Sequence, residues 1–442
     1  MKVKFLNPLL LLMLSVAYSN AFSQTETKII GLQEAIELGL KNNSYLRISE
    51  ANTKLAESRV QQVRDSNLPK AGASIQYSRI YTLSPFHLSP DIGLPATHFD
   101  AMIGLVSVSK EIFDGFLDKA RHEATEALVK ASKMDAKKDR NDIRYNIIAL
   151  YYTIYKIGKS QSIIEQNMLF LTEREREAAN MLKEGVLLSN DLLKIQLQKS
   201  NLALNKVDVK NAMDIALYNL AVMTGIADSQ PIAIDTNVIL AGRPLGVLSE
   251  LSDQALLSRN EIKAAGYRVD AAEAGLKQLK SNYYPHLEAS AMYVYLNPMV
   301  PHDFLPPKGG FLNAANFGLS VKYNIGSLYG MKGKMQESKL SIVQAQNIIE
   351  VQKDLIRNEV FSYYKSYQAA LEKITVSKIA MDQASHSFKL SSSQFKNGLL
   401  LSGDLMQSQN LLLQSQLNEL QARVDAQLAY FRLEKALGGA LN

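Results

Sequence analysis

Gly185-Val186-Leu187-Leu188-Ser189-Asn190-Asp191-Leu192 returns 213 residues later as Gly398-Leu399-Leu400-Leu401-Ser402-Gly403-Asp404-Leu405. That repetition limits the fold more than any other feature of the chain. The same offset carries Gln196 to Gln409, Leu204 to Leu417, Asn205 to Asn418, Leu220 to Leu433 and Gly225 to Gly438. Nearer the N-terminus the offset is 216, taking Ala56-Glu57 to Ala272-Glu273, Gln62 to Gln278, Pro69 to Pro285 and Tyr77 to Tyr293. The change from 216 to 213 requires only one loop of different length. The chain is one plan written twice.

Proline placement shows what the plan is. Seven of the 12 prolines fall in residues 83–98 and 298–313, and two runs of 135 residues, 96–230 and 308–442, have none. Proline breaks helix interiors, so the long helices belong in those two runs. Each half then reads as a first helix (32–67, and 248–282), two strands around a Pro-rich loop, a long helix (116–183, and 329–396), a Gly turn and a return helix. A helix of about 68 residues rises about 100 Å, too long for a compact globule. Gly185 and Gly398 suit the left-handed position that ends a helix, and Ser189 and Ser402 are placed to cap the next one. On the second return helix Leu413, Leu417, Leu420, Val424, Leu428 and Phe431 follow spacings of 4, 3, 4, 4 and 3. Their counterparts are Ser200, Leu204, Val207, Asn211, Ile215 and Tyr218. Such a seam predicts antiparallel coiled-coil pairs.

Strand character appears at residues 73–82, 101–110, 287–296 and 317–325. Phe317, Leu319, Val321, Tyr323 and Ile325 alternate with polar or small residues. Ile75, Tyr77 and Tyr81 do likewise, although Arg79 interrupts that face, and Val106 and Val108 run out of phase with Ile103 and Leu105. A soluble sandwich strand alternates in the same way; the rest of the sequence points elsewhere. Lys2 and Lys4 precede an apolar run, Leu9 to Val16, followed by Ser19, Ala21 and Ser23, which reads as an export signal over residues 1–23. No later stretch is long and apolar enough for a membrane helix, so any crossing must use strands of about nine to eleven residues. Four strands cannot close a membrane barrel, whose minimum is about eight, and open edges are forbidden in lipid. Several chains must therefore pool their hairpins: two would supply eight strands and three would supply twelve.

The expected organisation is a signal (1–23), a first repeat (24–230, with its β-hairpin at 71–112), a linker (231–247) and a second repeat (248–442, hairpin at 286–326). The fold class is mainly α with a transmembrane β-barrel portion. With no Cys, disulfides, thiolate metal sites and a lipid-bearing N-terminal Cys are excluded. The formal charge of +6 falls to +4 once Lys2 and Lys4 leave, too little for a nucleic-acid partner. The six histidines lack zinc spacing, no phosphate-binding Gly loop or Gly-x-Ser-x-Gly elbow is present, and the scattered Ser-x-x-Lys triplets have no companions. No catalytic residue, metal site or cofactor is expected. A periplasmic coiled-coil scaffold would explain the helices and the export signal; it leaves the strand pairs unexplained.

The duplicated order of helix, hairpin, long helix, turn and return helix, with Gly-x-x-x-Ser-x-Asp-Leu present twice, resembles the TolC-type outer-membrane efflux proteins. The resemblance covers nearly everything after the signal. It implies a homotrimer whose twelve-stranded barrel crosses the outer membrane above a periplasmic helical tunnel. Residues 226–246 and the chain's end would form an equatorial layer. Periplasmic adaptor proteins and an inner-membrane pump would be the partners, in efflux or type I secretion, with outer-membrane lipid around the barrel. Gly185, Ser189, Gly398 and Ser402 would sit at the adaptor-facing tips. Asp191 and Asp404 would supply two rings of three carboxylates at the periplasmic entrance, the alternative being that each only caps its helix or complements the helix dipole. One departure stands out. Family members place an Arg just after the second Gly turn and two Asp a helical turn apart. Here Asp404 matches the first Asp, but Gln407 replaces the second and Leu400 the Arg, so a gate locked by that Arg is not expected.

Overall fold

The computed structural model describes residues 27–81, 86–89, 92–94, 98–227, 230–236, 246–299, 312–397 and 399–439. The signal at 1–23, Gly398, and most of the two Pro-rich loops and of the linker lie outside them. In chain order the elements are β1 (Lys28–Ile30), α1 (Leu32–Asn42), α2 (Ser44–Ser66), β2 (Lys70–Tyr81), β3 (Phe86–Ser89), β4 (Ile92–Leu94), β5 (His98–Phe113), α3 (Leu117–Lys183) and α4 (Ser189–Thr224). They continue with β6 (Ile232–Ile234), α5 (Leu248–Ser258), α6 (Asn260–Lys280), β7 (His286–Met299), β8 (Leu312–Lys322), α7 (Met331–Lys396) and α8 (Ser402–Ala436). Among the described residues no helix is long and apolar enough to cross a membrane.

Two compact units divide the chain, and each draws on both halves of the sequence. One comprises residues 1–49, 136–260 and 353–442, and the other 50–135 and 261–352. In the first, β1 and β6 pair in parallel and cover a core of Ile30, Ile36, Ile147, Ile148, Tyr151, Leu220, Val424 and Phe431. The buried Tyr151 hydroxyl donates to the Ile30 carbonyl at 3.2 Å or that of Asp235 at 2.9 Å, tying the ends of the two strands together. Burial, then the nearby Asp235 carboxylate, pushes its phenol up to about 12. Further along, Ile164, Leu171 and Ala178 of α3 pack with Ile195 and Leu202 of α4 and Leu405 and Met406 of α8. Inside these packed helices Gln409 donates to Asn167, and Gln198 to Asn410. Buried amide pairs of this kind fix helix register at some cost in stability.

The expected first helices are each broken once. Asn43 (ψ 125°) ends α1 and Arg259 (ψ 128°) ends α5, in extended conformations that interrupt the helical ladder. The Asn43 side-chain oxygen accepts from the Tyr45 N–H at 2.9 Å and so starts α2. The breaks sit where the return helices arrive. Asn42 donates to the Thr224 carbonyl at 2.8 Å, and Ser258, its counterpart at offset 216, donates to the Leu437 carbonyl. Gly225 and Gly438 stand at φ 71°, and a Cβ on either would meet Asn42 or Ser258 at 2.6 Å. Arg259 completes the second joint, donating to the Ala436 carbonyl at 3.1 Å and pairing with Glu359 at 2.9 Å.

In the second unit β2, β5, β7 and β8 form one antiparallel sheet in that order, so the hairpins of the two halves lie side by side. The last strand is displaced from its expected span of 317–325. It runs Leu312–Lys322, because Asn324 starts a 3₁₀ turn, Ile325–Gly330, by accepting from the Ser327 N–H at 3.2 Å. Tyr323 and Ile325 are therefore not strand residues.

Candidate functional site

Residues directly opposite in an antiparallel pair share a face, so the register sorts every side chain of the four-stranded sheet. Ile75 faces Gly104, and Ala73 and Ala71 face Val106 and Val108. Val106 and Val108 continue to Tyr293 and Ala291, and Ala291 and Ala289 to Phe317 and Leu319. One face is thus Ile75, Tyr77, Val106, Val108, Tyr293, Phe317, Leu319 and Val321, and these large apolar groups are exposed. The other face carries Lys70, Ser74, Gln76, Ser78, Ser107, Ser109, Glu288, Ser290, Ser320 and Lys322. Ile103 and Leu105 fall on this second face, which explains why β5 alternates poorly when read alone. Arg79 lies on the apolar face and is met across the strand by Asp100, in a fork of 2.8 and 3.1 Å. At one end of the polar face Lys322 pairs with Glu288 at 2.5 Å, and His286 lies 3.2 Å from Glu111.

The two hairpin tips share one closing backbone bond. Gly185 takes φ 74°, and the Val186 N–H donates back to the Met181 carbonyl at 2.9 Å; the matching bond, Leu399 to Gln394, is also 2.9 Å. These are the six-to-one bonds of a Schellman stop. The serines do not cap as expected. Leu188 and Leu401 hold the cap positions, so Ser189 and Ser402 begin the helices and make no cap bond. Ser189 is exposed, whereas Ser402 is buried and its hydroxyl has no partner. Asp191 is partly covered and lies 3.5 Å from Lys194, while Asp404 is exposed. No hydrogen bond or ion pair joins the two aspartates. Val186, Leu188, Leu399 and Leu401, absent from the expected site, are exposed large apolar residues around the turns. Their only signal in the sequence was the apolar run flanking each Gly. Among the described residues no His and carboxylate cluster could hold a metal ion.

The two copies of the return-helix seam have opposite fates. On α8, Leu420, Val424 and Phe431 are buried within the chain; on α4, Leu204, Val207, Ile215 and Tyr218 are exposed. Because α4 also buries Ile195, Leu202, Ala216 and Leu220, it is apolar on two faces, with only one covered.

A single open sheet, apolar on one face and polar on the other, in a chain that also carries duplicated helical hairpins, is the kind of architecture found in channel-type proteins of the outer membrane. Residues 251–439 match the family described as outer membrane efflux protein. Outer membrane efflux protein BepC of Brucella suis is 24% identical over 415 residues, covering 92% of this chain and 85% of that protein. Among solved structures, CusC superposes with a TM-score of 0.79 at 14% identity, covering 95% of this chain and 96% of its own. VceC of Vibrio cholerae gives 0.77 at 16%, covering 93% and 97%. Residues 251–439 thus carry the pattern of the outer membrane efflux proteins, and the chain as a whole has the fold of the outer-membrane channels CusC and VceC.

Proposed function

We propose that three copies of this chain form the exit duct of an efflux or type I secretion assembly, conducting passively what an inner-membrane pump drives through a periplasmic adaptor. The carrying observation is the open four-stranded sheet, whose edges β2 and β8 find no partner strand among the described residues. Bilayer hydrocarbon tolerates no open edge, and three copies supply twelve strands. The exposed apolar face of the sheet then meets lipid, and the face with Lys70, Glu288 and Lys322 lines the lumen. The uncovered seam of α4 supports the same reading, because it needs a neighbouring chain. A periplasmic scaffold would leave the apolar face of the sheet in water.

At the helix turns, the exposed Val186, Leu188, Leu399 and Leu401, which flank Gly185 and Gly398 in sequence and neighbour Ser189 and Ser402, form the adaptor contact. Asp191 and Asp404 place carboxylates at the entrance, where rings of negative charge favour cations. Mass measurement of the detergent-solubilised protein, corrected for detergent, should give three chains, and planar bilayers should show discrete conductance steps. A stable monomer or dimer, or absence of conductance, overturns the reading.

A further inference from the structure

The roots of the two β-hairpins meet in the second unit, and the meeting is held by an unusual backbone. Gly115 and Phe116 both take left-handed φ, 67° and 70°, a conformation rare for a bulky residue and associated with functional sites. Gly115 is needed for closeness, since a Cβ there would stand 2.6 Å from the Ser281 carbonyl oxygen. Phe116 gains no burial from its strain and remains 57% exposed. What the conformation achieves is an aromatic cluster. Phe116 packs edge-on against Phe113 with centroids 5.3 Å apart and against Tyr284 at 5.8 Å, and Phe113 meets Tyr284 at 6.4 Å.

The register shows which side of the sheet this cluster occupies. A bulge after Glu111 brings Phe113 opposite Leu287, and Leu287 is opposite Val321. Phe113 therefore shares the apolar face with Leu319 and Phe317, and the cluster ends that face where the helices begin. Immediately beside it lies a cavity of about 310 Å³ lined by Phe116, Tyr284, Lys119, Lys277, Lys280 and Glu123, among others. Lys277 matches Glu123 at 2.7 Å, which leaves Lys119 and Lys280 as surplus positive charge.

We propose that this cavity binds the phosphate of an anionic phospholipid in the inner leaflet of the outer membrane. Lys119 and Lys280 hold the phosphate, while Phe116 and Tyr284 lie along the first part of the acyl chains. The assignment rests on the channel reading above, which sets the apolar face against lipid. Aromatic rings at headgroup level with lysines just outside them are the expected chemistry for such a site. The cavity adds what a general belt lacks: a concave recess, open to the surface, with a volume at the lower end of the range for small-molecule sites.

The test compares the protein with Lys119→Gln/Lys280→Gln, which leaves the Lys277–Glu123 pair intact. The control, Lys332→Gln/Lys334→Gln, removes equal charge from the first turn of α7 outside the cavity. Each is reconstituted in phosphatidylcholine vesicles containing phosphatidylglycerol, and lipid retained per chain is read by native mass spectrometry after detergent extraction. The protein and the control should retain one phosphatidylglycerol per chain. At roughly fivefold per lysine near a membrane surface, the Lys119/Lys280 variant should bind it about thirtyfold more weakly. Equal retention by all three, equal loss in both variants, or displacement by free glycerol phosphate at concentrations matching the lipid overturns the site. Conductance in pure phosphatidylcholine is recorded alongside: a conducting channel without selective retention defeats only this proposal, and a protein that never inserts defeats the channel reading with it.

Discussion

Replacing Leu204 and Val207 of α4 by alanine should dissociate the assembly without unfolding the chain. Leu204 is 66% and Val207 65% exposed in the single chain. Burying a whole Leu or Val side chain is worth about 1.5–3 kcal/mol, so covering two-thirds of each supplies about 1–2 kcal/mol per residue. Alanine at both positions would remove about 2–3 kcal/mol from every interface, roughly thirty- to a hundred-and-fortyfold in its association constant. If these side chains stayed in water, their loss would change stability by only about 0.5 kcal/mol. The matching seam provides the control: Leu420 and Val424 of α8 are 8% and 1% exposed, and alanine there should destabilise the chain itself. Light scattering on serial dilution in detergent reports the oligomer, and circular dichroism reports the helices. A Leu204/Val207 variant that keeps the parent's mass at every dilution, or that loses helix before it loses partners, refutes an interface at the α4 seam.

Three further outcomes can be measured. In planar bilayers, Asp191→Asn/Asp404→Asn should abolish cation preference and weaken block by trivalent cations from the periplasmic side; unchanged selectivity with a lower melting temperature would assign both residues to the first turns of their helices. Gly438→Ala should lower the calorimetric melting temperature, because a left-handed L-residue costs about 1–2 kcal/mol and its Cβ would stand 2.6 Å from the Ser258 hydroxyl; an unchanged value refutes the joint. Burial raises the Asp142 carboxyl, but Lys138 at 2.8 Å and Lys435 at 2.6 Å outweigh it and hold it below the usual range. Its contribution should be full above the ordinary aspartate pKa and lost as pH falls through the depressed folded value. Denaturant midpoints of Asp142→Asn should show a smaller decline across that acid window, and identical declines would refute the linkage.

What the sequence made legible was whatever depended on order and period. The repeat, the proline-free runs and the Gly turns located α3, α4, α7 and α8 within a few residues because those signals are local. What stayed hidden depended on partners distant in the chain. The breaks at Asn43 and Arg259 exist to receive Thr224 and Ala436, nearly two hundred residues away, and neither residue is a strong breaker. Strand β1 is three residues long and has meaning only beside β6. The poor alternation of β5 became interpretable once Val106 and Val108 were paired with Tyr293 and Ala291. At the tips, serine's cap preference gave way to one residue of register, which put Leu188 and Leu401 at the caps.

Duplication usually makes two equal parts, yet in the proposed assembly the two halves must differ for the ring to close. Two identical seams would permit α4 and α8 to be buried alike within one chain, leaving no surface for a neighbour. The sequence breaks the equivalence at two seam positions, where Ser200 and Asn211 of α4 stand opposite in plan to Leu413 and Val424 of α8. The sheet breaks it again, because its free edges, β2 and β8, come from different halves. Unlike edges make contacts head to tail, and such contacts form a ring when the rotation closes and an open filament when it does not. Each chain brings four strands in an antiparallel meander, so β8 of one copy meets β2 of the next antiparallel for any number of copies. The strands alone do not select the number. The α4 seam must turn through the same angle per copy as the sheet edge, and a substitution altering only one of them should open the ring rather than change its size.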